Sequence, residues 1–283
     1  MIVLRAAAPA KLNLTLRVGP RRADGFHDVE TLMTRVALCD ELAIELDGEA
    51  GVRVCCSDPA IPSDERNLAH RAATLYLTES GRTDLGMRIV IDKRIPSEAG
   101  LGGGSSDAAA VLTLLNGEIR ALRTEKLAEL AAHLGSDVPF FLGPSAAWYA
   151  GRGEQFVEAQ RLPECWAVVL LPRARCPTAE VYRAFDALLA PAAERSSVDL
   201  NDVRSAAELM HRLYNDLESA AEQVAPEVGR LRREAEALAG GAVRMTGSGS
   251  ALFRLFGARA DAEHFCNAAG TRLPVGGRVA LVI

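Results

Sequence analysis

Ile95-Pro96-Ser97-Glu98-Ala99-Gly100-Leu101-Gly102-Gly103-Gly104-Ser105-Ser106-Asp107-Ala108-Ala109-Ala110 joins two periodic segments. Before it, Met87, Ile89 and Ile91 recur at every second position, as in a strand; after it, an alanine-rich run from Ala108 to Leu115 reads as a helix. A glycine loop in that position suits an anion. Gly100, Gly102, Gly103 and Gly104 carry no Cβ, so backbone N–H groups can approach a phosphate closely, and a helix starting near Ser105 aims the positive end of its dipole at the same point. Ser105 and Ser106 add hydroxyls able to hold a phosphate oxygen or a magnesium ion. Taken alone, the stretch also reads as a flexible turn before an ordinary helix.

Two familiar phosphate loops do not fit. A P-loop closes on Gly-Lys-Ser/Thr, and the chain has no Gly-Lys pair. The dinucleotide fingerprint follows its strand directly, whereas here Asp92 to Ala99 intervenes.

The 283 residues suit two domains or one large one, and 49% hydrophobic with 24% charged residues is the composition of an ordinary globular protein. A net charge of -5 without a basic block excludes a nucleic-acid surface, so an anionic ligand must be held by a few local donors. Lysine occurs only as Lys11, Lys93 and Lys126. The six cysteines form no Cys-x-x-Cys pair and are expected as small buried hydrophobes in a reducing compartment. No signal peptide or membrane span is expected, the longest apolar candidate being Trp166 to Leu171, so the reading is cytoplasmic and soluble.

Outward from the loop, Leu12, Leu14, Leu16 and Val18 mark a first strand, interrupted by Pro9 and followed by a polar turn through Arg21 to Gly25. Lys11 lies in that strand, where a solvated surface role and a site role are both open. Asp24-Gly25 presents Phe26 and His27 at a turn, a pair that suits either a planar base or a core contact with a surface histidine. Two alternating runs around Asp47-Gly48, Leu42 to Cys56, predict a hairpin, and Asn67 to Glu79 an amphipathic helix. A helix from Thr124 to Leu134 ends at Gly135, and Asp137 then either caps the next turn or faces the glycine loop as a base. Gly151 to Pro163 is turn-rich and is the expected hinge. The second half reads as a buried strand (Trp166 to Leu171), a helix from Thr178 to Ala190, a loop from Pro191 to Val203, and helices over Asp216–Val224 and Pro226–Ala239. Val243 to Thr246, the turn Gly247-Ser248-Gly249-Ser250 and Leu252 to Phe256 read as strand, turn, strand; a helix over Asp261–Ala269 and a strand over Val279–Ile283 follow.

Three ordered segments, Pro9-Ala10-Lys11-Leu12-Asn13-Leu14, Pro96 to Ala110, and Gly247-Ser248-Gly249-Ser250, together resemble the GHMP kinase family. The likeness extends to Arg22-Ala23-Asp24-Gly25-Phe26-His27, Leu134-Gly135-Ser136-Asp137-Val138-Pro139, Gly151-Arg152-Gly153-Glu154 and Asn215-Asp216-Leu217-Glu218, and is thinnest between Pro191 and Leu213. It implies an α+β, two-domain fold with the active site in the inter-domain cleft, residues 1–160 forming an ATP-binding domain and residues 161–283 a substrate domain. It implies ATP and Mg2+ as cofactors, with Asp137 as base and Lys11 as its partner. The ATP site would comprise Asn67, Lys93, Pro96, Gly100, Leu101, Gly102, Gly103, Gly104, Ser105 and Ser106. Within the family the substrate implied is a cytidine diphosphate-linked methylerythritol, phosphorylated on its 2-hydroxyl in non-mevalonate isoprenoid synthesis. Its cytosine would lie between Phe26, where tyrosine is commoner, and Tyr182, where phenylalanine is commoner. His27 would hydrogen-bond the base, Thr178 would meet the diphosphate, and Asn13, Gly247 and Ser248 would complete the substrate site. Asp107 is expected as a charge at the helix N-terminus and not as a metal ligand, and no protein ligand for magnesium is assigned. A homoserine- or mevalonate-type kinase and a catalytically silent ligand sensor are the alternatives. Neither nucleic acid nor membrane is expected as a partner, and the chain is expected as a monomer or weak homodimer.

Overall fold

The computed structural model describes residues 2–46, 51–188 and 198–283. Strand β1 (Ile2–Arg21) is its spine. Leu12, Leu14, Leu16 and Val18 are buried, and so are Lys11, Asn13 and Thr15 between them, so both faces of the strand are covered. Pro9 does not interrupt it as expected. The strand continues through a shift of register between Pro9 and Ala10, a place where a residue without an N–H is tolerated. β1 pairs along its length with antiparallel β2 (His27–Leu46).

The predicted hairpin between Leu42 and Cys56 is not formed, and Asp47-Gly48 lies outside the described residues. β3 (Gly51–Cys56) pairs instead in parallel with β4 (Gly86–Asp92), and β4 separates it from β2. The parallel pair needs a crossover, supplied by α1 (Leu68–Glu79). α1 begins where expected because the Asn67 side chain accepts the Ala69 N–H. α2 (Gly103–Ile119), α3 (Thr124–Leu134) and the short α4 (Val138–Leu142) follow. The expected hinge contains a strand: β5 (Ala146–Ala150) turns through Gly151–Glu154 into antiparallel β6 (Gln155–Ala159), which adds to the same sheet. Turn residues at 151–154 hid the strand behind them.

β7 (Trp166–Leu171) and α5 (Thr178–Leu188) match expectation, the last two residues of the predicted helix and residues 191–197 of the predicted loop lying outside the described residues. α6 (Ala206–Arg212) and the two-residue β8 (Tyr214–Asn215) were not foreseen. β8 pairs in parallel with β1, so the first sheet runs β3-β4-β2-β1-β8. α7 (Glu218–Val224), α8 (Pro226–Ala239), β9 (Arg244–Met245), β10 (Leu252–Phe256), α9 (Arg259–Arg272) and β11 (Gly276–Leu281) complete the second half, whose sheet runs β11-β7-β10-β9. Alternation along β7 divides the core. Ala167 and Val169 face a cluster shared with Leu12 and Leu14, while Val168 and Leu170 face Val228 and Leu231 of α8. A further core, with Tyr76, Ile89, Leu112 and Phe140, lies under α1 and α2.

All six cysteines are free thiols, but only Cys165 and Cys176 are buried; Cys55 is exposed because it points outward from β3. No helix among the described residues is long and apolar enough to cross a membrane.

Candidate active site

Lys11 and Asn13 stand two residues apart on β1 and so face the same way. Lys11 Nζ donates to Asn13 Oδ1 and lies 3.3 Å from Asp137 Oδ2. Asp137 sits at the N-cap of α4 but makes no capping bond, which leaves its carboxylate to Lys11. The capping alternative is therefore not realised. Asn13 is fixed from both sides: its Nδ2 donates to Thr31 Oγ1 (2.8 Å) and its backbone N–H to Thr246 Oγ1 (2.9 Å).

The glycine loop rests on this pair. Leu101 O accepts the Lys11 N–H at 2.9 Å. Gly102 has a φ of +70°, and a Cβ there would lie 2.9 Å from Lys11 Cγ. Gly100, at φ +76°, passes so close to the other half that a Cβ would lie 2.4 Å from Thr246 O. The helix starts at Gly103, two residues earlier than expected, so Gly103 and Gly104 belong to its first turn. The N–H groups of that turn have no partner within the helix. Ser105 lines the cleft, and Ser106 Oγ is buried without a hydrogen-bond partner among the described residues.

Opposite the loop stands an aromatic wall. Tyr182 and His27 lie 5.3 Å apart between ring centroids, and the Arg152 guanidinium stacks 5.1 Å from the centre of the exposed Phe26 ring. Burial, with the Asp137 charge adding to it, pushes the Tyr182 phenol up to about 12, so it stays protonated. His27 is spent within the protein. Its Nδ1 donates to Gly19 O at 2.9 Å, since a carbonyl can only accept, and its Nε2 lies 3.1 Å from Asp186 Oδ1. Thr178 and Ser248 exchange a hydroxyl hydrogen bond of 2.9 Å, joining the start of α5 to the Gly247 turn. The cleft so enclosed has a volume of about 1010 Å³.

Of the residues expected at the site, Lys11, Asn13, Phe26, His27, Gly100, Gly102, Ser105, Asp137, Thr178, Tyr182, Gly247 and Ser248 line this one cleft. Asn67, Lys93, Pro96, Leu101, Gly103, Gly104 and Ser106 lie outside its lining. The Asn67 amide caps α1 and donates to Pro62 O at 2.7 Å. The Lys93 ammonium is buried between Asp40 and Asp107. Burial alone would lower its pKa, but the two carboxylates more than offset that and raise it. Asp107, expected as a charge at the helix N-terminus, stands beyond the first turn of α2, which starts at Gly103. It is 4% exposed, and burial pushes its carboxyl up to about 7 against the pull of Lys93.

Sequence reading gave no role to several residues that build the cleft. Arg21, Arg152 and Arg183 bring positive charge to it. Asn215 supports the Gly247 turn, its Nδ2 donating to Met245 O (3.0 Å) and Gly247 O (2.7 Å). Arg152 and Asn215 stood inside quoted segments; their roles depend on partners far along the chain.

A lysine–carboxylate pair beneath a glycine loop, with a helix N-terminus on one side and an aromatic wall on the other, defines a small-molecule phosphotransferase. The GHMP kinases N terminal domain matches residues 67–143 and the GHMP kinases C terminal domain residues 184–274. With the two domain models matched and relatives 41–42% identical over 88–89% of it, the chain belongs to the GHMP kinase family. A 4-diphosphocytidyl-2-C-methyl-D-erythritol kinase of Desulfotalea psychrophila is 41% identical over 89% of this chain and 85% of its own. One of Bacillus pumilus is 42% identical over 88% of this chain and 86% of its own. The crystal structure of a 4-(cytidine 5'-diphospho)-2C-methyl-D-erythritol kinase superposes with a TM-score of 0.82 at 38% identity, covering 99% of both chains. A homoserine kinase of Cytophaga hutchinsonii, at 18% identity and a TM-score of 0.71, shares the fold.

Proposed function

We propose that this kinase transfers the γ-phosphate of ATP to the 2-hydroxyl of 4-diphosphocytidyl-2-C-methyl-D-erythritol, in the cytoplasm, as a step of non-mevalonate isoprenoid synthesis. The observation that carries the reading is the 3.3 Å Lys11–Asp137 pair, set where the glycine loop meets the aromatic wall. Residues 1–160 supply the loop and the pair, and residues 161–283 supply Tyr182, Thr178 and the Gly247 turn.

Phosphoryl transfer needs alignment and charge stabilisation more than covalent chemistry. Asp137 takes the proton of the substrate hydroxyl as its oxygen bonds to the γ-phosphorus and the bond to ADP breaks. Lys11 holds Asp137 in place and hydrogen-bonds the attacking oxygen while charge builds there. The free N–H groups at the start of α2 bind phosphate oxygens. Magnesium, when bound, neutralises phosphate charge; the Ser105 hydroxyl and the unpartnered Ser106 Oγ are the oxygens at the helix start that suit it. Phe26 and Tyr182 give cytosine two aromatic faces, with Arg152 steadying Phe26. Both His27 ring nitrogens being engaged, the histidine reads the base through its backbone or after Asp186 yields.

The test is ADP release by the purified protein with magnesium and ATP, offering the cytidylated substrate, mevalonate, homoserine or no acceptor. Turnover with the cytidylated substrate alone is expected. Turnover only with another acceptor would discard the base pocket, and nucleotide binding with no turnover on any acceptor would leave a ligand sensor.

A further inference from the structure

The side chains that anchor the glycine loop do not line the cleft. Asp40 is fully buried in β2, just beyond the place where β1 and β2 shift register. Its Oδ1 accepts the backbone N–H groups of Arg94 (2.6 Å) and Ile95 (2.9 Å), the residues by which the chain leaves β4 for the loop. Its Oδ2 accepts from Lys93 Nζ, which also donates to Asp107 Oδ2 at 2.9 Å, four residues into α2. Entry to the loop and exit from it are thus tied to one carboxylate. Gly103 closes the packing around the tie: a Cβ there would lie 3.1 Å from Lys93 Nζ and 3.0 Å from Ile95 Cγ2.

Two carboxylates around one ammonium make an expensive way to fill an interior, because desolvation offsets much of their attraction. Such a cluster does fix geometry. Bonds from a charged acceptor to backbone N–H groups are short and directional, and a phosphate cradle made of backbone N–H groups weakens steeply if it is displaced.

We propose that Asp40, acting through Lys93 and Asp107, is a positioning residue for the phosphate loop. It sets where the N–H groups of residues 100–104 stand when a triphosphate arrives, and none of the three side chains touches the nucleotide. The inference rests on the loop being the phosphate site.

Inorganic tripolyphosphate separates the possibilities, since it carries three phosphates and no nucleoside. Its affinity and that of ATP are measured by calorimetry on the wild-type protein and on Asp40→Asn, alongside steady-state kinetics. Asp40→Asn is expected to weaken both ligands by the same factor, tenfold or more, and to raise KM for ATP while KM for the acceptor stays within twofold. A purely structural role would lower the folded fraction and leave both KM values unmoved. Weaker ATP with unchanged tripolyphosphate would overturn the proposal by placing the cluster at the nucleoside, and unchanged affinity for both would overturn it outright. Asp107→Asn is the milder variant and decides the matter if Asp40→Asn fails to fold. Three- to tenfold weaker tripolyphosphate is expected, and wild-type affinity in the folded variant sinks the relay. Wild-type protein that binds neither ligand would instead refute the phosphate loop itself.

Discussion

Asp137 and Asp107 are both aspartates close to the glycine loop, and their surroundings differ, as do the tasks proposed for them. Asp137 is a third exposed and pairs with Lys11, open to a substrate hydroxyl. Asp137→Asn keeps the shape and loses the proposed base, so turnover should fall by about a hundred- to ten-thousand-fold while both ligands still bind by calorimetry. Near-normal turnover would remove Asp137 from the chemistry. Asp107 is enclosed, and its folded-state pKa of about 7 lies above the ordinary carboxylate value near 4. Between those pH values the folded chain keeps a proton that the unfolded chain has lost, so this group's contribution to stability declines as pH rises from about 4 to about 7. Asp107→Asn does not titrate. Its melting temperature relative to wild type should therefore climb across that window and level off above it, and a constant difference from pH 4 to pH 8 would contradict the burial argument.

At the scale of elements, the sequence was most readable where local chemistry sets the outcome. The Gly135 stop and the proline at the start of α8 each mark a helix end, and each marked it correctly. The unbroken apolar run from Trp166 to Leu171 marked a buried strand, and β7 is covered on both faces. What failed was pairing. A tight-turn dipeptide at Asp47-Gly48 implies a change of direction, but which strand lies alongside β3 depends on the α1 crossover that follows. Asp40 was invisible for a similar reason, since its partners lie more than fifty positions away. Lys11 and Asp137 were legible through resemblance; no spacing in the chain brings position 11 to position 137. The elements also differ in what they hold together. Leu112 of α2 is fully buried, whereas Val157 of β6 is 55% exposed on a strand with no buried residue. In urea denaturation, Leu112→Ala should cost about 2–5 kcal/mol and Val157→Ala no more than about 0.5 kcal/mol. Equal costs would mean that β6 is covered in solution.

Across the whole molecule, the two halves share a core. Leu12, Leu14 and Leu32 pack in one cluster with Val169, Leu209 and Phe253, and β8 is a strand of the first sheet supplied by the second half. Urea unfolding should accordingly follow one transition, with fluorescence and far-UV circular dichroism coinciding. A fragment of residues 1–160, lacking the other side of that cluster, should show weak near-UV circular dichroism and little protection from amide exchange. A stable fragment or two separate transitions would make the halves independent folding units.

Thr246 receives the Asn13 N–H, Asn215 holds the Gly247 turn, and Val282 bridges to Val36. Ribosomes deliver these residues long after Lys11, at roughly 5–20 residues per second. For much of its synthesis the nascent chain therefore presents Leu12, Leu14 and Leu32 without their partners. The same stitching that joins the two sides of the finished cleft leaves an apolar sheet face uncovered until the second half has emerged.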